Sequence, residues 1–88
     1  MTSIQLIVDG ALALVMVALA LSALLTPNLS RAVVLFMTFG LVMAFAWARL
    51  GAPDIALVEV AIGSGLTGAL LLSTIHVLRT HDADDSKD

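Results

Sequence analysis

Among the ionisable side chains inside or beside the long apolar runs of this 88-residue chain, four lie near the starts of the first and third runs and the end of the second: Asp9, Arg49, Asp54 and Glu59. A charge in the middle of an apolar helix opposes membrane insertion by about 2.5–3.5 kcal/mol, so such groups usually face protein or water. In that setting a carboxylate can bind and release a proton or attract a metal cation. These residues are therefore the first candidates for chemistry.

The composition indicates a membrane protein. Hydrophobic residues make up 60% of the chain and charged residues 12%, and the mean hydropathy is +1.08. A soluble domain of this size needs more polar surface. Four Lys and Arg residues exclude a basic nucleic-acid surface, and the absence of cysteine excludes thiolate chemistry. No catalytic triad, phosphate-binding loop or metal-ligand spacing is present, so we expect no enzyme activity from the chain alone, no cofactor and no metal site.

Three apolar runs predict an all-α membrane fold with transmembrane helices at about residues 4–25, 31–49 and 54–79. Their lengths are close to the roughly 20 residues that span the hydrocarbon. They must be helical because lipid offers the backbone no hydrogen-bonding partner. We expect residues 1–80 to form one three-helix domain and residues 81–88 to form a short acidic tail, disordered and cytoplasmic.

Short connections join the three runs. Asn28 and Ser30 in "TPNLSR" are both candidates for the N-cap of the second helix. In "RLGAPD", Gly51 is a typical helix stop and Pro53 suits a first helical turn. Asp54 then lies where a carboxylate complements the helix dipole, which indicates a structural charge. Connections this short predict that consecutive helices are antiparallel neighbours.

The basic residues predict the orientation in the membrane. Arg31, Arg79 and Lys87 fall on one side, and only Arg49 falls on the other. By the positive-inside rule the C-terminus is cytoplasmic and the N-terminus lies outside. Trp47, near the outer end of the second helix, is typical of an interfacial anchor.

The first and third helices are parallel in this topology, and each carries an acid about five residues from its start, roughly 8 Å below the same surface. These acids are Asp9 and Glu59, and Arg49 ends the second helix on that side. Two interpretations stay open for Glu59: it lies on an ion pathway, or it pairs with Arg49. Asp9 is either a second ion-translocation candidate or a structural, water-facing residue.

The third run adds a polar stripe to the acid. At 100° per residue Glu59, Gly63, Thr67 and Thr74 fall within about an 80° sector, which makes Thr67 a further candidate for the ion route. The glycines at 63, 65 and 68 serve either close packing or local flexibility, and π-bulges favour such places. Two small-residue faces suit helix contacts, one at Ala61, Gly65 and Ala69 and one at Ser64 and Gly68. His76 and His81 are expected to be solvated.

The third run also resembles a known family. Its "LGAPDIALVEVAIGSGLTGALLL" contains an Ala-Pro-Asp at 52–54, the acid at 59, and a small-residue run that ends in Gly-Leu-Thr at 65–67. This pattern resembles the small D-type subunit of membrane-bound energy-converting hydrogenases and the equivalent C-terminal part of the A subunit of Mrp-type multisubunit Na⁺/H⁺ antiporters. The "SRAVVLF" start of the second helix is also similar. A more distant likeness is to the J-type subunit of respiratory complex I, whose third helix carries a π-bulge in some conformations.

The resemblance implies a non-catalytic membrane subunit of a large ion-translocating complex. Its partners would be antiporter-like subunits and other small helical subunits in the lipid bilayer, and Glu59 would help form the route for Na⁺ or H⁺. One alternative is a purely structural adaptor subunit of a membrane-bound hydrogenase or a complex I-like assembly. A self-assembling, holin-like pore former is another, although such proteins usually end in a basic tail and this chain ends in "HDADDSKD".

Overall fold

A computed structural model describes residues 2–87, and they form three long helices. The first is α1, Ser3–Leu25, and the second is α2, Leu29–Arg49. The third is continuous but changes its winding: α3, Pro53–Val58, leads into a π-helical segment, Glu59–Leu66, and then into α4, Thr67–Lys87. All three are long and apolar enough to cross a membrane. The predicted all-α fold with three spans is confirmed, and the chain is a multi-pass membrane protein.

Side-chain caps fix where the first two helices begin. Thr2 and Gln5 form a capping box, each side chain bonding the other's backbone N–H at 3.3 Å. Asn28 caps α2, because its side-chain oxygen accepts the Arg31 N–H at 3.2 Å. Of the two candidate caps in the first connection, the structure therefore uses Asn28 rather than Ser30. For that reason α2 begins two residues earlier than expected from the apolar run.

The second connection is a glycine-terminated helix end. Gly51 has a φ of +80°, its N–H bonds the Ala48 carbonyl at 3.1 Å, and the Ala52 N–H bonds the Trp47 carbonyl at 2.9 Å. This pair of bonds is the Schellman motif, which satisfies carbonyls that the helix end would leave free. Pro53 follows at once as the first residue of α3. The chain thus reverses direction within three residues.

The third helix is longer than its apolar run. It continues to Lys87 rather than ending near residue 79, because no glycine or proline follows Gly68. Hydroxyls of Thr80 and Ser86 bond carbonyls of their own helix. The stretch Pro53–Ser86 alone has 34 residues and is about 50 Å long, against about 30 Å of hydrocarbon, so the last turns of the helix extend beyond the membrane core. The predicted disorder of residues 81–88 stays a prediction.

The three helices pack as a single flat layer. The principal extents are 64, 26 and 10 Å, and the smallest is about one helix diameter. Both α1 and the third helix contact α2, whereas within residues 2–87 they do not contact each other. Two seams result: the α1–α2 seam, and the α2–π seam, where α2 meets the π segment. Asp9 and Glu59 consequently lie on opposite sides of α2.

Candidate functional site

The α1–α2 seam holds an ion pair near one end of the layer. The Arg49 Nε donates to the Asp9 Oδ1 at 2.5 Å, and the two side chains are 36% and 42% exposed. Arg49 is the last residue of α2 and Asp9 lies in the second turn of α1, so the antiparallel arrangement brings them together. Among the side chains of residues 2–86 this is the sole ion pair. The alternative in which Glu59 pairs with Arg49 is therefore not the arrangement found.

Glu59 is the first residue of the π segment, and its carboxylate lies between that segment and α2. A Cβ built on Gly63 would come 2.6 Å from the Glu59 Oε1 and 2.8 Å from its Cδ. A Cβ built on Gly40 of α2 would come 3.5 Å from the same oxygen. The carboxylate thus occupies a seat, formed by Gly40 and Gly63, that side chains at these positions would fill or border.

No partner in the described chain neutralises the Glu59 carboxylate. Among the side chains of residues 2–86 no cation lies within 4.0 Å of it, and no donor forms a hydrogen bond to it. The residue is half-buried. A carboxylate that receives no hydrogen bond from the protein can accept one from water, or bind a proton or a cation. The site is chemically available in a way that Asp9 is not.

Ser64 joins the two sides of the α2–π seam. It is 3% exposed, and its Oγ donates to the Met37 carbonyl of α2 at 3.1 Å. Gly40 makes this approach possible, because a Cβ there would overlap the Ser64 Oγ. One turn further, Gly68 lies directly against the Met37 side chain. Small residues on both helices therefore bring the two backbones close together, as is common between membrane helices.

The π segment extends over eight residues, Glu59–Leu66. At its end the Thr67 N–H bonds the Ile62 carbonyl, five residues back, and the Thr67 hydroxyl bonds the same carbonyl at 2.8 Å. π-Helical turns are rare and often occur at functional sites. The segment begins at the acid and includes Gly63 and Gly65 but not Gly68, so two of the three glycines lie where the winding is altered.

The residues of the predicted polar stripe differ in exposure. Glu59, Gly63 and Thr67 are all half-buried, as expected for residues facing a neighbouring helix. Thr74 is exposed, and its hydroxyl bonds the Leu70 carbonyl of its own helix at 2.9 Å. The half-buried part of the stripe therefore runs from Glu59 to Thr67 and does not include Thr74.

The two small-residue faces of the third helix have different surroundings. Ser64 and Gly68 are buried in the α2–π seam. Ala61, Gly65 and Ala69 are exposed, so their proposed use as a contact face for another subunit stays a prediction.

Other candidate residues lie outside the two seams. Asp54 is exposed in the first turn of α3, where its carboxylate complements the helix dipole, and the N-cap residue Ala52 makes no side-chain cap bond. His76 and His81 are exposed on α4, and Trp47 is half-buried near the end of α2.

Sequence reasoning missed Gly40 and the Ser64–Met37 bond. A signal was available, because Gly40 and Ser64 lie 11 and 13 residues from the turn at Gly51 and the two helices are antiparallel. Residues at similar distances from a tight turn lie at similar depths. The lone glycine in the second apolar run could thus have been placed opposite the glycine-rich part of the third.

One family model matches most of the chain. It is the model of MbhD, the D-type member of the MBH subunits, and the match covers residues 14–80. That range contains the second half of α1, all of α2 and the whole π segment with Glu59, and it begins after Asp9. No curated protein and no solved structure matches the chain.

Proposed function

Since the chain belongs to the MbhD family, we propose that it is an ion-route subunit of a multisubunit cation/proton antiporter of the Mrp type, or of a related ion-translocating complex. Membership of this family makes it a small subunit of a membrane-bound hydrogenase or Mrp-like complex. The ion route is the further step. The observation that carries it is the half-buried Glu59 carboxylate, held between two helices without a cationic partner in the described chain.

Glu59 would bind the transported ion at the outer third of the third helix. In its charged form the carboxylate attracts Na⁺ or H⁺ into the α2–π seam, and on binding its charge is neutralised. Thr67 lies two turns further along the same half-buried side. Its hydroxyl donates to the Ile62 carbonyl, so its oxygen lone pairs stay available to water or to a cation passing below the acid.

Asp9 has a different role in this proposal. It neutralises Arg49 in the α1–α2 seam and so keeps the guanidinium away from Glu59. An Arg49–Glu59 pair would hold the second acid in one charged state and remove it from ion exchange. The Asp9–Arg49 pair therefore supports transport indirectly, and it also joins α1 to the rest of the layer.

The proposed location is the inner membrane of a prokaryotic cell, with the N-terminus outside and the C-terminus in the cytoplasm. The distribution of Arg31, Arg79 and Lys87 against Arg49 supports this orientation. In this orientation Glu59 lies nearer the outer surface of the membrane than the inner one. Its proposed partners are antiporter-like and small helical subunits, which would cover the apolar faces of the 10 Å layer together with lipid.

Substitution of Glu59 tests the proposal. In inverted membrane vesicles that contain the assembled complex, Glu59→Gln should sharply reduce pH- or cation-gradient coupling, because an amide cannot exchange a proton or carry charge. Asp54→Asn is the matched control, since it removes an exposed acid from the same helix and should leave coupling unchanged. Wild-type coupling in an intact Glu59→Gln complex would reject the proposed role.

A structural adaptor is the second candidate, and the Asp9–Arg49 pair favours it. In this reading the chain only joins larger subunits of a hydrogenase or a complex I-like assembly. Glu59→Gln would then leave transport intact, whereas Asp9→Asn would lower the amount of assembled complex. Blue-native gels run beside the transport assay separate the two candidates.

A further inference from the structure

The seat of the Glu59 carboxylate is built from two glycines on different helices. Resting on the proposed function of Glu59, we infer that Gly63 is a positioning residue for ion transfer and that Gly40 supports it through Ser64. The missing side chain at Gly63 leaves the space in which the carboxylate lies, and the missing side chain at Gly40 lets α2 close over it.

The contact at Gly63 is specific to the acid. A Cβ at this position would lie 2.6 Å from Oε1, 2.8 Å from Cδ and 3.1 Å from Oε2 of Glu59. Contacts between a Cβ and other heavy atoms essentially never fall below 3.0 Å, so an alanine here and the carboxylate cannot keep these positions together. The carboxylate is the end of a flexible side chain, so the acid would move while the backbone stays.

The other two glycines of the cluster do not touch the acid. Within 4 Å, a Cβ at Gly65 would meet the Val60 carbonyl, at 3.1 Å, and a Cβ at Gly68 would meet the Met37 side chain. All three glycines lie in the third helix, yet one of them borders the carboxylate. This difference separates a positioning role for Gly63 from a general packing role of the glycine cluster.

Gly40 acts one step further away. A Cβ there would stand at an ordinary contact distance of 3.5 Å from the Glu59 Oε1, but it would overlap the Ser64 Oγ. It would therefore displace Ser64 from the Met37 carbonyl and separate α2 from the π segment. The carboxylate would lose the side of its seat that α2 provides.

Gly63→Ala in the assembled complex tests the inference, with ion flux measured against cation concentration and normalised to the amount of complex on blue-native gels. Because the acid is displaced while its charge is retained, we expect flux per complex at low cation concentration to fall about tenfold, within the range that misplacement of a reacting group causes. The apparent KM for the cation should rise at the same time. A purely structural loss would lower the amount of complex without changing this KM.

Two glycine controls accompany this variant. Gly10→Ala adds a methyl group where nothing lies within 4 Å, and Gly68→Ala adds one against the flexible Met37 side chain. Both should keep the wild-type apparent KM. An equal change in Gly63→Ala and Gly68→Ala would overturn the inference, since the acid would then not be the cause.

A shorter acid provides the rescue. In the Glu59→Asp, Gly63→Ala double variant the side chain loses one methylene, which leaves room for the new Cβ, so flux per complex should exceed that of Gly63→Ala alone. If the double variant shows no more flux per complex than Gly63→Ala, the inference is overturned. This holds even if Gly63→Ala lowers the amount of assembled complex, because flux is measured per complex.

Normal flux in Gly63→Ala beside lost flux in Glu59→Gln would reject the positioning role and leave the proposed function standing. Normal flux in Glu59→Gln would reject the proposed function itself.

Discussion

The two seams of the layer each contain an acid, but in the described chain only one of the two acids is paired with a cation. In the α1–α2 seam Asp9 is paired with Arg49 at 2.5 Å, and α1 contributes no buried residue. In the α2–π seam Ser64 and Gly68 are buried, and Glu59 lies between the helices with no cation beside it in the described chain. Tight packing and an unpaired acid therefore occur together, and so do loose packing and a paired acid.

This difference indicates which acid is structural and which is available for exchange. A paired carboxylate has its charge compensated and gains little from binding another cation. An unpaired carboxylate beside apolar helices is unfavourable until something binds it, which is why such residues mark ion pathways in membrane proteins. Four substitutions should each weaken one seam or the other, and their expected losses of stability decrease in the order Gly40→Ala, Gly51→Ala, Asp9→Asn and Ser64→Ala.

Gly40→Ala should disrupt the α2–π seam most strongly. The added Cβ overlaps the Ser64 Oγ, so the helices must separate or the Ser64–Met37 bond must break, at a cost of about 1–3 kcal/mol as for other overpacked sites. SDS titration of the chain in mixed micelles would measure it. Gly10→Ala is the control and should not destabilise; equal stability of the two variants would contradict the close approach at Gly40.

Gly51→Ala should weaken the same seam from its end. The φ of +80° is unfavourable for a residue with a Cβ by roughly 1–2 kcal/mol, and the turn sets the register between α2 and the third helix. The same titration should show lower stability, while the Asp9–Arg49 pair, which lies between α1 and α2, should persist. An undiminished stability would mean that the turn is not held in this conformation.

Asp9→Asn tests the α1–α2 seam. Because the pair is more than a third exposed, we expect a loss of at most about 1 kcal/mol. The Asp9→Asn, Arg49→Gln double variant should be more stable than Asp9→Asn alone, since it leaves no uncompensated guanidinium. A double variant whose loss is the sum of both single losses would show that the two side chains do not interact.

Ser64→Ala should have the smallest effect on stability. It removes one hydrogen bond between helices, and such bonds in membrane proteins average about 0.6 kcal/mol. Thr74→Val is the matched control, because that hydroxyl bonds its own helix and should contribute nothing to helix association. If Ser64→Ala and this control have the same stability, the Ser64 hydroxyl does not stabilise the α2–π seam.

Much of the fold followed from the sequence because each element has a local cause. Apolar length predicts the three spans, and Gly51 and Pro53 mark the second turn. The third helix continues beyond its predicted span to Lys87, since its polar last turns have no apolar pattern but also no helix breaker. The sequence offers Asn28 and Ser30 as caps of α2, and the use of Asn28 starts the helix at Leu29, two residues before the expected 31.

The candidate site could be predicted only in part. That Glu59 faces protein follows from the unfavourable free energy of a charge in lipid. Which acid meets Arg49 did not follow, because Asp9 and Glu59 have similar depths and sequence does not say which helices flank α2. The start of the π segment at Glu59 was also hidden, since glycines indicate where winding can change but not where the change begins.

The central claim is that Glu59 changes its protonation or its bound cation during transport, and difference infrared spectroscopy of the complex in membranes tests it most directly. A pH step, and separately a Na⁺ step, should change a carboxyl band that is present in the wild type and absent in Glu59→Gln. Asp9→Asn should retain that band. Active transport with no Glu59-dependent change in either step would contradict the claim.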